Sequence, residues 1–331
     1  MLPRAAIGTR EGEINASPPC FPLIPLQKLI FSIMLMASVL SVKAQDESVF
    51  MHYTNSPTLI NPAHAGFQEQ FQALFNFRNQ WTTFPGSAFT YSAGLESPIG
   101  KVMGAGFRLW SENIASITAY KVQLDYAFRY EINKLDLAGG FSTAYKTVRL
   151  NPSEIDNTWF DEGDPIAMGY LDGEPIFDAT FGLFGKYNDK TSVGVTFPSL
   201  VVRKLNSIEE NEQMNFFSFY TVYLAQELYI QDYNVTIEPS ILLRKIRNGA
   251  HTIDINFKGG FLNEKLVGGL SYRIPLEDDL SISNGAAGIL LGTDFDNITL
   301  YYSYDISLLP FQGYNAGGHE ISFRLKFTEP K

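Results

Sequence analysis

From Phe71 onward, apolar and polar residues alternate with a period of two, the pattern of strands whose two faces meet different surroundings. Residues 118–130 give the clearest case. Tyr120, Val122, Leu124, Tyr126, Phe128 and Tyr130 share one face, while Lys121, Gln123, Asp125 and Arg129 share the other. The last such segment repeats the pattern, with Ile321, Phe323, Leu325 and Phe327 against Glu320, Ser322, Arg324 and Lys326. Fourteen segments are predicted: 71–78, 87–96, 102–111, 117–130, 135–148, 176–187, 191–202, 216–228, 233–244, 251–260, 265–274, 285–294, 297–305 and 319–328. Most exceed the ~5–6 residues usual in soluble sheets and approach the ~9–11 of a tilted membrane-crossing strand.

The connections sort by parity. Counted from the first, even gaps hold 5, 4, 3, 4, 4 and 2 residues, and odd gaps hold 8, 5, 27, 13, 6, 10 and 13. Short turns at one rim and longer loops at the other characterise outer-membrane barrels, and a soluble sandwich has no reason to sort its loops this way. Hydrocarbon offers backbone N–H and C=O groups no partner, so a crossing sheet must close on itself. The expected fold is therefore all-β, a transmembrane antiparallel up-and-down barrel of about 14 strands over residues 71–328. Tyr130, Tyr145, Tyr187, Tyr229, Tyr272, Tyr301 and Tyr302 are expected in the aromatic girdles at its rims.

The chain before the barrel divides in two. Lys28, the apolar run Leu29–Val42 and the small residues Val42 and Ala44 read as a secretory signal peptide cleaved before Gln45. The run has 14 residues, short of the ~20 a spanning helix needs. Residues 1–25 carry no usable pattern and suggest an over-extended start. Residues 45–70 form an N-terminal periplasmic segment in which Phe50, Tyr53, Leu59 and Ile60 call for burial. Either it folds back to the barrel's periplasmic mouth, with a turn at Asn61-Pro62 and Gly66 freeing the backbone into strand one, or it hangs as a tether that meets a partner.

Charge and composition remove several function classes. Without residues 1–44 the chain carries 21 basic and 33 acidic residues, a net charge of −12, which offers no footprint for nucleic acid. Cys20, the only cysteine, precedes the cleavage point, so the mature chain has no thiolate chemistry. His52, His64, His251 and His319 stand apart, and no H-x-x-x-H or G-x-S-x-G pattern occurs. No catalytic, cofactor-binding or metal-ligating residue is assigned. His319-Glu320 reads as a hydrogen-bonded pair at the seam where the barrel closes. The acidic stretch 149–175 carries Glu154, Asp156, Asp161, Glu162, Asp164, Asp172 and Glu174, interleaved with Trp159, Phe160 and Tyr170. It reads as a solvated loop, a protein-contact surface or, without EF-hand spacing, a Ca²⁺ site.

Three blocks carry a resemblance. Gln45-Asp46, Phe50, His52-Tyr53, Pro57 and Asn61-Pro62-Ala63-His64-Ala65-Gly66 come first. Phe77-Arg78-Asn79-Gln80-Trp81, Phe84-Pro85-Gly86 and Thr90 follow, and Gly318-His319-Glu320-Ile321-Ser322 through Phe327 closes the chain. Together they resemble the PorP/SprF family of Bacteroidetes over most of residues 45–328. His52 and His64 depart from it, where Gln and an aromatic are more usual. The motif positions taken from the resemblance are Asn61, Pro62, Ala63, Gly66, Arg78, Asn79, Gln80, Trp81, His319 and Glu320. The resemblance implies an outer-membrane barrel of the type IX secretion and gliding apparatus, without catalysis or cofactor. Its implied partners are other components of that apparatus and a large secreted adhesin-like protein. Periodicity and spacing alone reach only to an outer-membrane barrel, which leaves a porin or hydrophobic-substrate channel as the alternative.

Overall fold

The computed structural model describes residues 50–67, 70–156, 164–205, 219–245, 251–276, 285–295, 297 to 308 and 317 to 327. The chain divides into two units, Met1–Lys43 and Ala44–Lys331. The first lies wholly outside the described residues, as does the expected signal peptide.

The strands are β1 (Phe71–Gln80), β2 (Ala88–Ile99), β3 (Met103–Ile114), β4 (Ile117–Ile132), β5 (Leu135–Leu150), β6 (Glu174–Tyr187), β7 (Thr191–Lys204), β8 (Tyr220–Gln226), β9 (Leu228–Ile230), β10 (Val235–Lys245), β11 (His251–Phe261), β12 (Leu266–Leu276), β13 (Ala286–Phe295), β14 (Ile298–Ser307) and β15 (Gly318–Phe327). β8 and β9 are two pieces of one wall position, interrupted at Glu227, and both pair with β10. Each remaining strand pairs antiparallel with its chain neighbours, and β1 pairs with β15 from Phe71↔Phe327 to Gln80↔Gly318. The result is a closed barrel of 14 wall positions, as the alternation predicts.

The barrel is inverted relative to a soluble protein. Leu124, Tyr126, Phe128 and Tyr130 of β4 lie on its exposed outside, whereas Asp125 between them is buried in the lumen. On β15, Ile321, Phe323 and Phe327 face out while Glu320, Ser322 and Arg324 face in. Period-two alternation has this outcome when strands separate hydrocarbon from a polar interior. Tyr130, Tyr145, Tyr187, Tyr229, Tyr272 and Tyr302 are exposed on the outer face. Tyr301 is not a girdle residue. It precedes the outward Tyr302 by one position, so the pleat turns it into the lumen, where it is buried.

At one rim β2–β3, β4–β5, β6–β7, β8/β9–β10, β11–β12 and β13–β14 are joined by turns of two to four residues. Asn133, Asn188, Asp189, Asn234 and Asn263 adopt left-handed φ there, a conformation that Asn and Asp tolerate in tight turns. The other rim holds the longer loops, with one exception. β3 climbs three residues beyond its predicted end and meets β4, which begins where predicted, at the two-residue turn Ala115-Ser116. The acidic stretch contains a short helix, α1 (Pro165–Asp172), packed on β5. A helix there was not anticipated, and Trp159, Phe160, Asp161 and Glu162 lie outside the described residues. No helix among the described residues is long and apolar enough to cross a membrane.

Candidate functional site

Residues 50–67 occupy the lumen. They contain no strand, only 3-10 turns at Met51–Thr54, Pro57–Leu59 and Pro62–His64. Proline at positions 57 and 62 starts the second and third turns with a preset φ and no N–H to satisfy. The segment begins with Phe50 packed against Trp110 and Ala119, in the long-loop halves of β3 and β4. It leaves at Gly66, which turns with φ +70° beside Gly104 and Ser97 near the short-turn rim. It therefore lies deeper than a cover over the mouth. A wall of 14 positions is wider than the ~8 strands whose side chains alone fill the interior, and this segment takes up part of the remaining volume.

Three buried charge groups hold it. At the first, Glu320 accepts from the N–H groups of Met51 (2.7 Å) and His52 (2.9 Å) and from Arg78 Nη1 at 2.6 Å. Arg78 also donates to Asp305 at 2.8 Å, and Ser322 bonds both His52 Nδ1 and Asn76. At the second, Thr58 donates to Glu96, Gln72 donates to the same carboxylate at 3.0 Å, and Arg108 donates to the Thr58 carbonyl at 3.0 Å. At the third, Arg324 donates to the Asn55 carbonyl and to Ser56 Oγ. Lys258 donates to the Thr54 carbonyl at 3.2 Å, and Asn256 to Tyr53 Oη at 2.8 Å. These bonds satisfy the carbonyls and N–H groups of a chain that has no ladder of its own.

Glycines in the wall form the berth of the last turn. Asn61 caps it by accepting from Ala63 N–H at 3.0 Å, and its amide donates to the Leu183 carbonyl of β6 at 2.9 Å. A Cβ on Gly140 would run into the backbone of Pro62 and Ala63, and one on Gly182 into the Asn61 side chain. Below this turn His64 packs against Phe67 and Phe184, with ring centroids 5.9 and 3.9 Å away. Burial, aided by the Lys186 charge, holds its imidazole well below the ordinary range. Burial also lowers the His52 pKa, against the opposing pull of Glu320 and with a smaller push from Arg78.

The motif positions separate into two sets. Asn61, Pro62, Ala63 and Gly66 shape the segment, and Arg78 with Glu320 anchors it, as facing partners across the β1–β15 seam. Asn79 pairs with His319 and Gln80 with Gly318 in the same ladder, and Trp81 turns out of β1 with φ 58°. His319 and Glu320 are not a bonded pair. Consecutive strand residues point to opposite faces, so Glu320 enters the lumen while His319 stacks outside on Tyr304 and bonds Tyr302 Oη at 2.8 Å. Sequence reasoning placed Arg324 on the polar face of the last strand without a role and did not single out Glu96, Arg108 or Asp305. Their signal was present, since each is a charged residue at a lumen-facing strand position. Among the described residues no group of three or more His, Cys, Asp or Glu could hold a metal.

The sequence model of the type IX secretion system membrane protein PorP/SprF matches residues 42–325. The chain belongs to the PorP/SprF family. That membership makes this PorP/SprF protein an outer-membrane component of type IX secretion, whose partners belong to the same system. Among solved structures it is similar to the CymD monoaromatic hydrocarbon channel, with a TM-score of 0.51 and 10% identity over 86% of this chain and 95% of that one. Omp33 of Acinetobacter baumannii is also similar, at 0.46 and 8% over 78% of this chain and 99% of that one. At such identities the likeness to CymD shows the fold alone. No curated protein matches the chain. The family is one of outer-membrane secretion components.

Proposed function

We propose that this PorP/SprF barrel works as a plugged docking platform that assists export and surface attachment of large secreted proteins, not as an open pore. The observation that carries the reading is the occupied lumen. A porin keeps a water-filled channel, whereas here residues 50–67 cross the interior and bond to charged side chains on β2, β3, β11 and β15. In this reading the short-turn rim faces the periplasm and the long-loop rim, with the acidic stretch 149–175, faces outward towards an adhesin-like cargo. The barrel itself contributes a rigid seat with no catalytic step and no cofactor.

Deleting the gene tests the reading directly. Gliding, or export of one or a few large surface proteins, should fail while small-solute uptake stays near normal. A general permeability defect with normal secretion would favour the transport-channel alternative. Affinity purification from membranes should recover type IX components and one large secreted protein. The protein recovered from membranes should begin at Gln45, and retention of Leu29–Val42 would refute the expected leader.

A further inference from the structure

Above the lumen segment, on the long-loop side, the wall encloses a cavity of about 120 Å³. Its floor is the segment itself at Leu59–Pro62. Two buried donors that line it have no hydrogen-bond partner among the described residues. Arg244 is 8% exposed, and its Nε and Nη1 are unpaired; Trp110 is 4% exposed, and its indole Nε1 is unpaired. Neither group can accept a hydrogen bond. Leaving such donors unsatisfied is costly and calls for an occupant.

The charge around the cavity is the reverse of the protein's. Among the described residues, Lys121 and Arg108, which also lies 3.5 Å from Glu96, line it too, and Asp178 is the one carboxylate, in a chain whose overall charge is −10. Arg244 stands outside the ion pairs nearby, because Asp254 is taken in a bidentate bond by Arg273, at 2.7 and 2.8 Å. The wall is also reshaped here. The β6–β7 register shifts between Ala179 and Phe181, where three residues of β7, Pro198, Ser199 and Leu200, lie opposite Thr180 alone. Ser199 adopts φ 49°, donates through Oγ to Asp178 and bonds Thr180 through its N–H at 3.2 Å, so that Pro198 and Ser199 both line the cavity. Bulges re-aim side chains next to sites, and a left-handed serine is strain that persists where surrounding structure imposes it.

We propose that this cavity is a carboxylate-binding site, in which Arg244 and Trp110 Nε1 donate to the ligand's oxygens and Arg108 and Lys121 supply the remaining positive field. A volume of this size suits a single carboxylate with a short apolar stem, which would rest on Leu59, Ile60 and Leu242. The carboxylate could belong to a free short-chain acid or to the end of a polypeptide entering from the long-loop rim. Its chemistry at the site is the same in both cases. The inference stands independently of the docking role proposed above.

The test is calorimetric titration of the full-length purified barrel in detergent with propionate, with a short apolar peptide bearing a free C-terminus, and with the same peptide amidated. Saturable binding of propionate or of the free-acid peptide is expected, weakened at least tenfold in Arg244→Gln and severalfold in Trp110→Phe, which keeps the ring but loses the donor. Lys101→Gln removes an equal charge from an exposed position at the short-turn rim, away from the cavity and from the bonds that hold the segment, and should bind as the parent does. Propionate and the free-acid peptide binding alike identifies a small acid as sufficient; a peptide advantage of tenfold or more identifies a chain end. No saturable binding of either acid, equal binding of the amidated peptide, or unchanged binding in both cavity variants would overturn the proposal. If Arg244→Gln does not assemble, Trp110→Phe alone decides.

Discussion

Arg78 and Glu320 face each other across the seam where the first strand meets the last, 2.6 Å apart and almost wholly buried. The same carboxylate receives the backbone N–H groups of Met51 and His52, so one ion pair serves both barrel closure and retention of the lumen segment. Removing one partner of a buried pair strands the other charge and costs roughly 3–5 kcal/mol. Glu320→Leu should therefore destabilise the barrel by an amount of that order, read by its heat-dependent gel mobility, and should expose residues 50–67 to protease. Asp305 remains to Arg78, which places the expected loss at the lower end. A variant as stable and as protease-resistant as the parent would refute this double role.

The facing assignment is testable at adjacent positions of β4. Leu124 is 42% exposed on the outer face, while Gln123 points inward and donates to Asp125 at 2.7 Å. Leu124→Arg should cost ~2–4 kcal/mol near the membrane midplane and lower the yield of assembled barrel. Gln123→Arg, beside the Asp125 carboxylate, should be tolerated better. Equal losses at the two positions would contradict the facing.

The berth of the lumen segment depends on bare backbone. Valine at position 140 would place side-chain atoms where Pro62 and Ala63 now lie, without touching the outer face. Gly140→Val should assemble as a barrel yet release the segment. Single-channel conductance in planar bilayers should rise towards that of a chain lacking residues 45–67. If conductance stays at the parent's level, the turn is not what closes the lumen.

The strands were legible because every wall residue has one of two environments and the pleat imposes a period of two on the choice. That signal places all wall positions and most of their ends. It fails where the rule is broken locally. Tyr301 was read by residue type and not by parity, and β8 stops at Glu227 although the apolar pattern continues into Leu228–Ile230. The lumen segment has no period to read, because its bonds go to groups far along the chain, such as Glu320 and Asn256. Arg78 and Glu320 were both picked out by motif, but their contact exists only because the barrel closes.

The last prediction concerns pH. His52 and His64 both belong to the lumen segment, and burial holds both imidazoles below their ordinary pKa while the segment is docked. Once released, each returns to about 6.5. The released state then binds more protons than the docked one wherever the pH lies below that value, so docking is strongest above about pH 6.5 and weakens as pH falls. Each histidine contributes at most ~1.4 kcal/mol, or tenfold, per pH unit below 6.5, until its docked pKa is reached. The groups facing them fix the direction. Lys186 opposes a charge on His64, and for His52 the Glu320 carboxylate favours protonation but does not outweigh burial. Between pH 7.5 and 5, hydrogen-exchange protection across residues 50–67, measured relative to the intrinsic exchange rate at each pH, should fall while protection in the wall strands holds steady. His64→Phe keeps the stack on Phe184 without a titrating group and should flatten part of the response. Protection in the segment that is as high at pH 5 as at pH 7.5 would show that neither imidazole is held neutral by docking.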